Sequence, residues 1–195
     1  MGAAADCEAI GTGFLGQPVN TLTTIAFLLV GALVLTHRED RGWIGVGLIV
    51  TGVGSFLFHG PMAPGSEWAH DVTLAWLLLL IGASGTRWEA VSKMPALVVL
   101  GAVFGVLPVI ADPVAVVITG FAVASLAVSN RSISTWGPLA LVAGAAVYGR
   151  LGATGGPLCR PEALFQPHGV WHVLAAVAVG WWATQAPPAQ STTSR

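Results

Sequence analysis

Charge is the property that this sequence has least of. Only 9% of its 195 residues are Asp, Glu, Lys or Arg, whereas a typical soluble domain carries about 25%. Hydrophobic residues make up 54% of the chain, and the mean hydropathy is +0.76. Because so few charged residues cannot cover a water-facing surface, we expect most of the outer surface to face lipid. The sequence therefore predicts an integral membrane protein.

Basic residues are too few for two classes of protein. The formal net charge is −1 and no stretch is strongly basic, so nothing points to a nucleic-acid partner. The single lysine, Lys93, lies in a link between apolar runs, which argues against a seven-helix protein that holds retinal on a buried lysine. Residues 1–16 contain no Lys or Arg and no apolar core, so they do not predict a cleavable signal peptide.

Long apolar runs fill the rest of the chain. They are continuous rather than alternating, which favours membrane helices over the strands of a barrel. We predict an all-α fold with one seven-helix transmembrane domain at 1–184 and a disordered tail at 185–195. The seven predicted spans are residues 17–36, 43–58, 70–86, 94–111, 114–128, 136–151 and 168–184.

The distribution of Lys and Arg predicts the orientation of these spans. Six of the eight lie in the links and tail on one side of the membrane, and two lie on the other. Because basic residues favour the cytoplasmic side, we expect the N-terminus outside and the tail in the cytoplasm. The six are Arg38, Arg41, Arg87, Lys93, Arg131 and Arg195, and the two are Arg150 and Arg160.

Two apolar runs contain polar pairs with a spacing of four residues. Ser55 and His59 form one pair, and His168 and His172 form the other. Residues four apart lie on one face of a helix, about 5–6 Å from each other. With Asp71, which begins the third predicted span, these residues all fall near the predicted outer boundary. Because polar groups inside membrane helices are costly unless they have partners, we expect one shared site.

The residue types favour a metal centre that hydrolyses a carbonyl compound. Catalytic zinc commonly takes three protein ligands and leaves one position for water, and His59, His168 and His172 would supply the three. Zinc lowers the pKa of its water to about 7, which creates a nucleophile near neutral pH. Asp71 is then the candidate proton carrier, and Ser55 the candidate donor to the developing oxyanion or to the water.

Other interpretations of the same residues stay open at this point. Ser55 is also compatible with a bond to its own helix backbone, Asp71 with a helix N-cap, and His70 with a side chain at the membrane interface. Two of the histidines are also compatible with axial ligation of a haem. The convergence of three histidines, a serine and an aspartate at one depth favours the metal centre.

At these positions the chain resembles the alkaline ceramidase family. The residues that carry the resemblance are Cys7-Glu8, the run 17–21 (QPVNT), the run 54–59 (GSFLFH), Asp71 and the run 168–172 (HGVWH). That family belongs to a superfamily of seven-helix membrane hydrolases that includes the adiponectin/progestin receptors and haemolysin-like proteins. The resemblance follows the same order along most of the chain but rests on few positions.

The resemblance implies a function for each of these residues. It implies zinc on His59, His168 and His172, Asp71 as a proton shuttle and Ser55 as a stabiliser of the transition state. The implied reaction is hydrolysis of ceramide, or of a related membrane lipid amide, to a long-chain base and a fatty acid. The alternative is a receptor-like or scaffold protein of the same superfamily with a structural metal, although the chain has no additional domain for signalling.

The resemblance also concerns calcium and the two cysteines. Some eukaryotic members bind calcium through an acidic N-terminal segment, for which Asp6, Glu8 and Asn20 are the candidates here. This segment has only two acidic residues and Gln17 stands where a carboxylate is expected, which argues against calcium. Cys7 and Cys159 both fall on the predicted outer side, where an oxidising compartment permits a disulfide; two unpaired thiols are the alternative.

Overall fold

The computed structural model describes residues 2–129 and 133–185, and the regular elements in these ranges are all helical. The predicted tail at 185–195 lies outside the described residues except for Gln185, and Arg131 and Arg195 lie outside them as well. The helices are α1 (Pro18–Thr23), α2 (Ile25–His37), α3 (Gly42–His59), α4 (Ser66–Ala83), α5 (Glu89–Ser92), α6 (Met94–Val106), α7 (Ala111–Ser129), α8 (Ile133–Leu151) and α9 (Pro167–Thr184).

Within residues 2–129 and 133–185, three helical segments are long and apolar enough to cross a membrane by length and composition. They are Pro18–His37, with 20 residues, and Glu39–His59 and Pro108–Val128, with 21 residues each. A helix needs about 20 apolar residues to cross the hydrocarbon core of a bilayer. The prediction of a helical membrane protein is therefore supported by the structure at this level.

Two helix boundaries differ from the sequence prediction. Asp112 and Pro113, which we expected to form a tight link, lie in the first turn of α7. Proline is accepted there because the missing N–H would have no partner within the helix. The preceding helix, α6, ends at Val106 instead of continuing to residue 111, and a short 3-10 turn at Pro108–Ile110 makes the link.

The third predicted helix begins earlier than the sequence suggested. Helix α4 starts at Ser66, directly after Gly65, whose φ of 84° lies in the left-handed region that favours glycine. Asp71 is therefore the sixth residue of the helix, so the N-cap interpretation of Asp71 is wrong. Asp71 lies inside the helical segment, more than one turn beyond its first residue.

Close helix contacts bring the polar residues to one end of the molecule. A Cβ atom added to Gly54 in α3 would lie 2.7 Å from Oγ1 of Thr73 in α4, so only glycine permits this approach. A Cβ atom on Gly169 in α9 would likewise lie 3.1 Å from Oγ1 of Thr23. The end of α3 and the beginnings of α4 and α9 thus meet, while the apolar core lies further along the helices around Leu48 and Trp76.

Candidate metal centre

Three histidines from two helices converge at this end. His59 is the last residue of α3, whereas His168 and His172 lie on successive turns at the start of α9. One ring nitrogen from each lies within 4.8 Å of the other two, and the ring centroids are 4.5 to 5.2 Å apart. The predicted convergence of the three histidines is therefore confirmed. Rings this close leave no room for a porphyrin between them, which argues against haem.

The hydrogen bonds of His59 determine which of its nitrogens is available. Nδ1 lies 2.6 Å from Oε1 of Gln17, while Nε2 of Gln17 donates to the carbonyls of Ala3 and Glu8 at 2.8 and 3.0 Å. Only an amide NH2 can face two carbonyl oxygens, so Oε1 faces His59 and accepts. Nδ1 therefore carries the proton, and Nε2 carries a lone pair. That Nε2 is buried without a partner among the described residues.

His168 has the same arrangement with a carboxylate as its partner. Nδ1 of His168 lies 3.2 Å from Oδ1 of Asp6, which is an acceptor when ionised. Nε2 of His168 is buried and has no partner in the described part of the chain. Burial raises the pKa of Asp6 to about 6. Asp6 thus orients the His168 ring with Nε2 towards the other two histidines.

His172 completes the pattern with a backbone carbonyl. Its Nδ1 lies 3.1 Å from the carbonyl oxygen of Asn20 and 3.1 Å from Oγ1 of Thr23. Since a carbonyl oxygen only accepts, Nδ1 carries the proton and Nε2 the lone pair. The Nε2 atom lies 3.3 Å from Oγ of Ser55. Ser55 is therefore buried beside the ligand nitrogen of His172, rather than beside that of His59.

These three rings fit a metal ion. A buried polar atom without a hydrogen bond is costly, and here unprotonated Nε2 atoms from three rings lie together. Imidazole nitrogens are common ligands of zinc, and ligating histidines almost always donate their other N–H to a carboxylate, carbonyl or similar acceptor. Each of the three Nδ1 atoms has such an acceptor: Gln17, Asp6 and the Asn20 carbonyl. The residues could hold a metal, and the geometry does not by itself select which metal.

Asp71 lies at the edge of this cluster, beside a cavity. Its Oδ1 accepts from Nδ1 of His70 at 3.0 Å, and the His70 ring stacks on Phe58 with centroids 4.9 Å apart. Asp71, Asp6 and His168 line the same cavity of about 410 Å³. The structure thus places Asp71 across an open space from the histidines, and it gives His70, which we interpreted as an interface residue, a defined partner.

A second cavity is almost entirely apolar. It lies between α2, α4, α7, α8 and α9, and its lining includes Phe27, Leu77, Leu139 and Trp182. Trp171, on the turn of α9 between the two ligand histidines, lines both this cavity and the polar one. The two cavities therefore share one lining residue, which lies next to the histidines.

The N-terminal segment encloses the other side of the cluster. Cys7 and Cys159 form a disulfide, which confirms the predicted pairing. Glu8, a calcium candidate, accepts from the backbone N–H groups of Val19 and Asn20 at 2.7 and 2.8 Å. The Glu8 carboxylate thus lies at the start of α1. Asp6 lies elsewhere, against the ring of His168.

The sequence predicted the three histidines but not the groups that contact their Nδ1 atoms. Asp6, Gln17 and Asn20 were considered only in connection with calcium, and Thr23 was not predicted to take part. No spacing rule could have found them, since their contacts with the histidines join segments up to 162 residues apart (Asp6 and His168).

Comparison with models of protein families, with curated proteins and with solved structures finds no match for this chain.

Proposed function

We propose that this protein is an intramembrane zinc-dependent amidase that hydrolyses ceramide or a related lipid amide to a long-chain base and a fatty acid. One observation carries the proposal: His59, His168 and His172 each place Nδ1 within 3.2 Å of an acceptor, and one ring nitrogen from each lies within 4.8 Å of the other two. The resemblance of the runs 54–59 and 168–172 to alkaline ceramidases supports the choice of zinc and of the amide.

Asp71 is the proposed proton carrier. A zinc ion on His59, His168 and His172 supplies Lewis acidity and lowers the pKa of water to about 7. Hydrolysis breaks the amide C–N bond and adds water across it, so one proton must reach the leaving nitrogen. Asp71 lines the same cavity as His168 and is held by His70, so its carboxylate is suited to accept that proton and deliver it to the amine.

Ser55 is the proposed hydrogen-bond donor to the carbonyl oxygen of the reacting amide. Its hydroxyl contacts the lone pair of His172 Nε2 at 3.3 Å. When that lone pair is used for ligation, the hydroxyl hydrogen is free to donate elsewhere. A donor fixed beside the reacting carbonyl stabilises the negative charge that develops on its oxygen, and loss of one such donor typically costs about 10²–10³ in kcat.

The two cavities support an amphiphilic substrate. The polar cavity is lined by Asp6, Asp71 and His168, whereas the second cavity exposes almost only apolar side chains. A lipid amide has a polar head next to its reacting carbonyl and a long apolar chain. With the head in the first cavity and the chain in the second, the amide bond would lie near Trp171 and the histidines.

The membrane arrangement is part of the proposal. We propose seven spans, made of α1 with α2, then α3, α4, α6, α7, α8 and α9, with the N-terminus outside. The excess of Lys and Arg on the side of the tail supports this orientation. It places the ligand histidines near the outer, non-cytoplasmic boundary, where the disulfide that closes the N-terminal segment is chemically favoured.

The experiment is elemental analysis of detergent-purified protein followed by an assay of lipid amides. Wild type is compared with the triple variant His59→Ala/His168→Ala/His172→Ala, each checked for folding by its helical circular dichroism. We expect one zinc per chain and release of fatty acid from ceramide in wild type, and neither in the variant.

Two results would contradict the proposal in different ways. A folded wild type without zinc would remove the metal centre itself. Stoichiometric zinc without hydrolysis of any lipid amide would remove the enzyme and leave a receptor-like or scaffold protein with a structural metal.

A further inference from the structure

Gln17 contacts His59 through both its backbone and its side chain. Its backbone N–H donates to the carbonyl of His59 at 2.8 Å, and its Oε1 accepts from Nδ1 of His59 at 2.6 Å. The residue is fully buried. Two contacts to one ligand residue hold both the position and the rotation of the His59 ring.

The same amide also ties down the N-terminal segment. Nε2 of Gln17 uses both of its hydrogens, one to the Ala3 carbonyl and one to the Glu8 carbonyl. These two bonds are what orient the amide, because the reversed orientation would place Oε1 against two carbonyl oxygens. The acceptor that faces His59 is therefore fixed by contacts on the opposite side of the amide.

We propose that Gln17 is a positioning residue for the metal ion. It keeps the proton of His59 on Nδ1, so that the lone pair of Nε2 faces His168 and His172. The inference rests on the metal centre of the proposed function, but not on the identity of the substrate. Loss of a hydrogen-bond partner of a ligating histidine typically weakens metal binding about 10–100-fold, and we expect an effect of that size.

Gln166 offers a matched control within the same chain. It is also buried, and its Nε2 donates to loop carbonyls, those of Arg160, Pro161 and Ala163, at 2.8 to 3.1 Å. Its Oε1 has no partner among the described residues, so it orients no histidine. Replacement of either glutamine by leucine removes amide–carbonyl bonds from a buried site, but only one replacement removes the acceptor of a ligand.

The test is titration of the metal-free, detergent-purified protein with Co²⁺ in the presence of a competing chelator. The visible absorption of the protein-bound ion gives its affinity. The variants are Gln17→Leu, Gln17→Glu and Gln166→Leu, with thermal unfolding measured for each. We expect Gln17→Leu to weaken Co²⁺ binding about 10–100-fold. We expect Gln17→Glu to recover part of that loss only while its carboxyl is protonated, since the hydroxyl then donates to one N-terminal carbonyl and the other oxygen accepts from Nδ1; an ionised carboxylate would face both carbonyl oxygens.

Gln166→Leu should lower the unfolding temperature yet bind Co²⁺ within a few-fold of wild type. Equal losses of affinity in both leucine variants would overturn the positioning role. If Gln17→Leu does not fold, Gln17→Met removes the same acceptor with an unbranched apolar side chain. A wild type that binds no Co²⁺ would overturn the metal centre and this inference together, whereas a wild type that binds it and a Gln17→Leu variant that matches it would overturn this inference alone.

Discussion

The two sides of the histidine cluster are built differently. On the side of the N-terminal segment, Gln17 and the Asn20 carbonyl accept from the Nδ1 atoms of His59 and His172, Asp6 lies 3.2 Å from Nδ1 of His168, and the disulfide from Cys7 closes the segment. On the side of α4, His70 and Asp71 are bonded to each other and face a cavity of about 410 Å³, whose lining also includes Asp6. The first side is packed against the rings at Gln17 and Asn20, whereas the second leaves space next to them.

This difference indicates a division of tasks. Groups that orient metal ligands must be buried and rigid, because a shift of the ring moves the lone pair away from the other ligands. Groups that exchange protons with a substrate need room for that substrate. Under the proposed function, the N-terminal side would control metal binding and the α4 side the chemistry in the cavity.

The largest expected effect is on zinc content, which should depend on the three clustered histidines and not on His70 on the α4 side. His172→Ala removes one of three ligands and should abolish stoichiometric zinc, whereas His70→Ala should keep it, since His70 bonds Asp71 and not the ligand set. The measurement is zinc per chain by elemental analysis of folded protein. Full zinc in His172→Ala, or none in His70→Ala, would contradict the division.

The next largest effect concerns proton transfer on the α4 side. Asp71→Asn keeps the shape of the side chain but cannot accept a proton, so turnover of a lipid amide should fall about 10²–10⁴-fold. Zinc content should stay at the wild-type level, because Asp71 contacts no ligand nitrogen in the described structure. Unchanged turnover, measured as fatty-acid release at saturating zinc, would exclude Asp71 from the reaction.

The disulfide on the N-terminal side should contribute mainly to stability. Cys7 and Cys159 are separated by 152 residues, and removal of a native disulfide typically costs about 2–5 kcal/mol. The double variant Cys7→Ser/Cys159→Ser should lower the free energy of unfolding in detergent by about that amount. The wild-type protein treated with reductant serves as the comparison, and it should match the double variant; equal stability of variant and untreated wild type would show that the bond contributes nothing.

The smallest expected effect is on zinc affinity, which substitution of Asp6 should lower and substitution of Asp71 should not. Asp6→Leu removes the acceptor of His168 Nδ1 and should weaken zinc binding about 10–100-fold, which chelator competition measures. Asp6→Asn retains an oxygen that can accept from the ring, so its loss should be smaller. If Asp6→Leu binds zinc like wild type while Asp71→Asn weakens it, the assignment of the two sides must be reversed.

Local spacing was enough to predict the polar pairs, and the common depth of their helix ends predicted that the three histidines meet. His168 and His172 share one face of α9 because they are four residues apart, and Ser55 and His59 share one face of α3 for the same reason. The shortage of charge was likewise enough to predict membrane helices, since it reflects the solvent of the whole surface. The boundaries around Pro113 were misjudged because proline both ends helices and begins them.

The partners of those ligands followed from no local rule. That Ser55 meets the Nε2 atom of His172, although it shares a helix with His59, depends on how α3 and α9 pack. That Asp6 lies 3.2 Å from Nδ1 of His168 depends on how the N-terminal segment packs against α9. Both are outcomes of packing, in which a shift of one residue along a helix rotates its side chain by about 100°.

The sequence by itself determined that this chain is helical and suited to a membrane, and which three imidazoles come together, because both follow from composition and from the period of the helix. Only the tertiary structure decided that Gln17, Asp6 and the Asn20 carbonyl accept from Nδ1 and leave each Nε2 unprotonated. A tautomer depends on which acceptor lies within hydrogen-bond distance, and that distance is set by the packing of segments that are far apart along the chain.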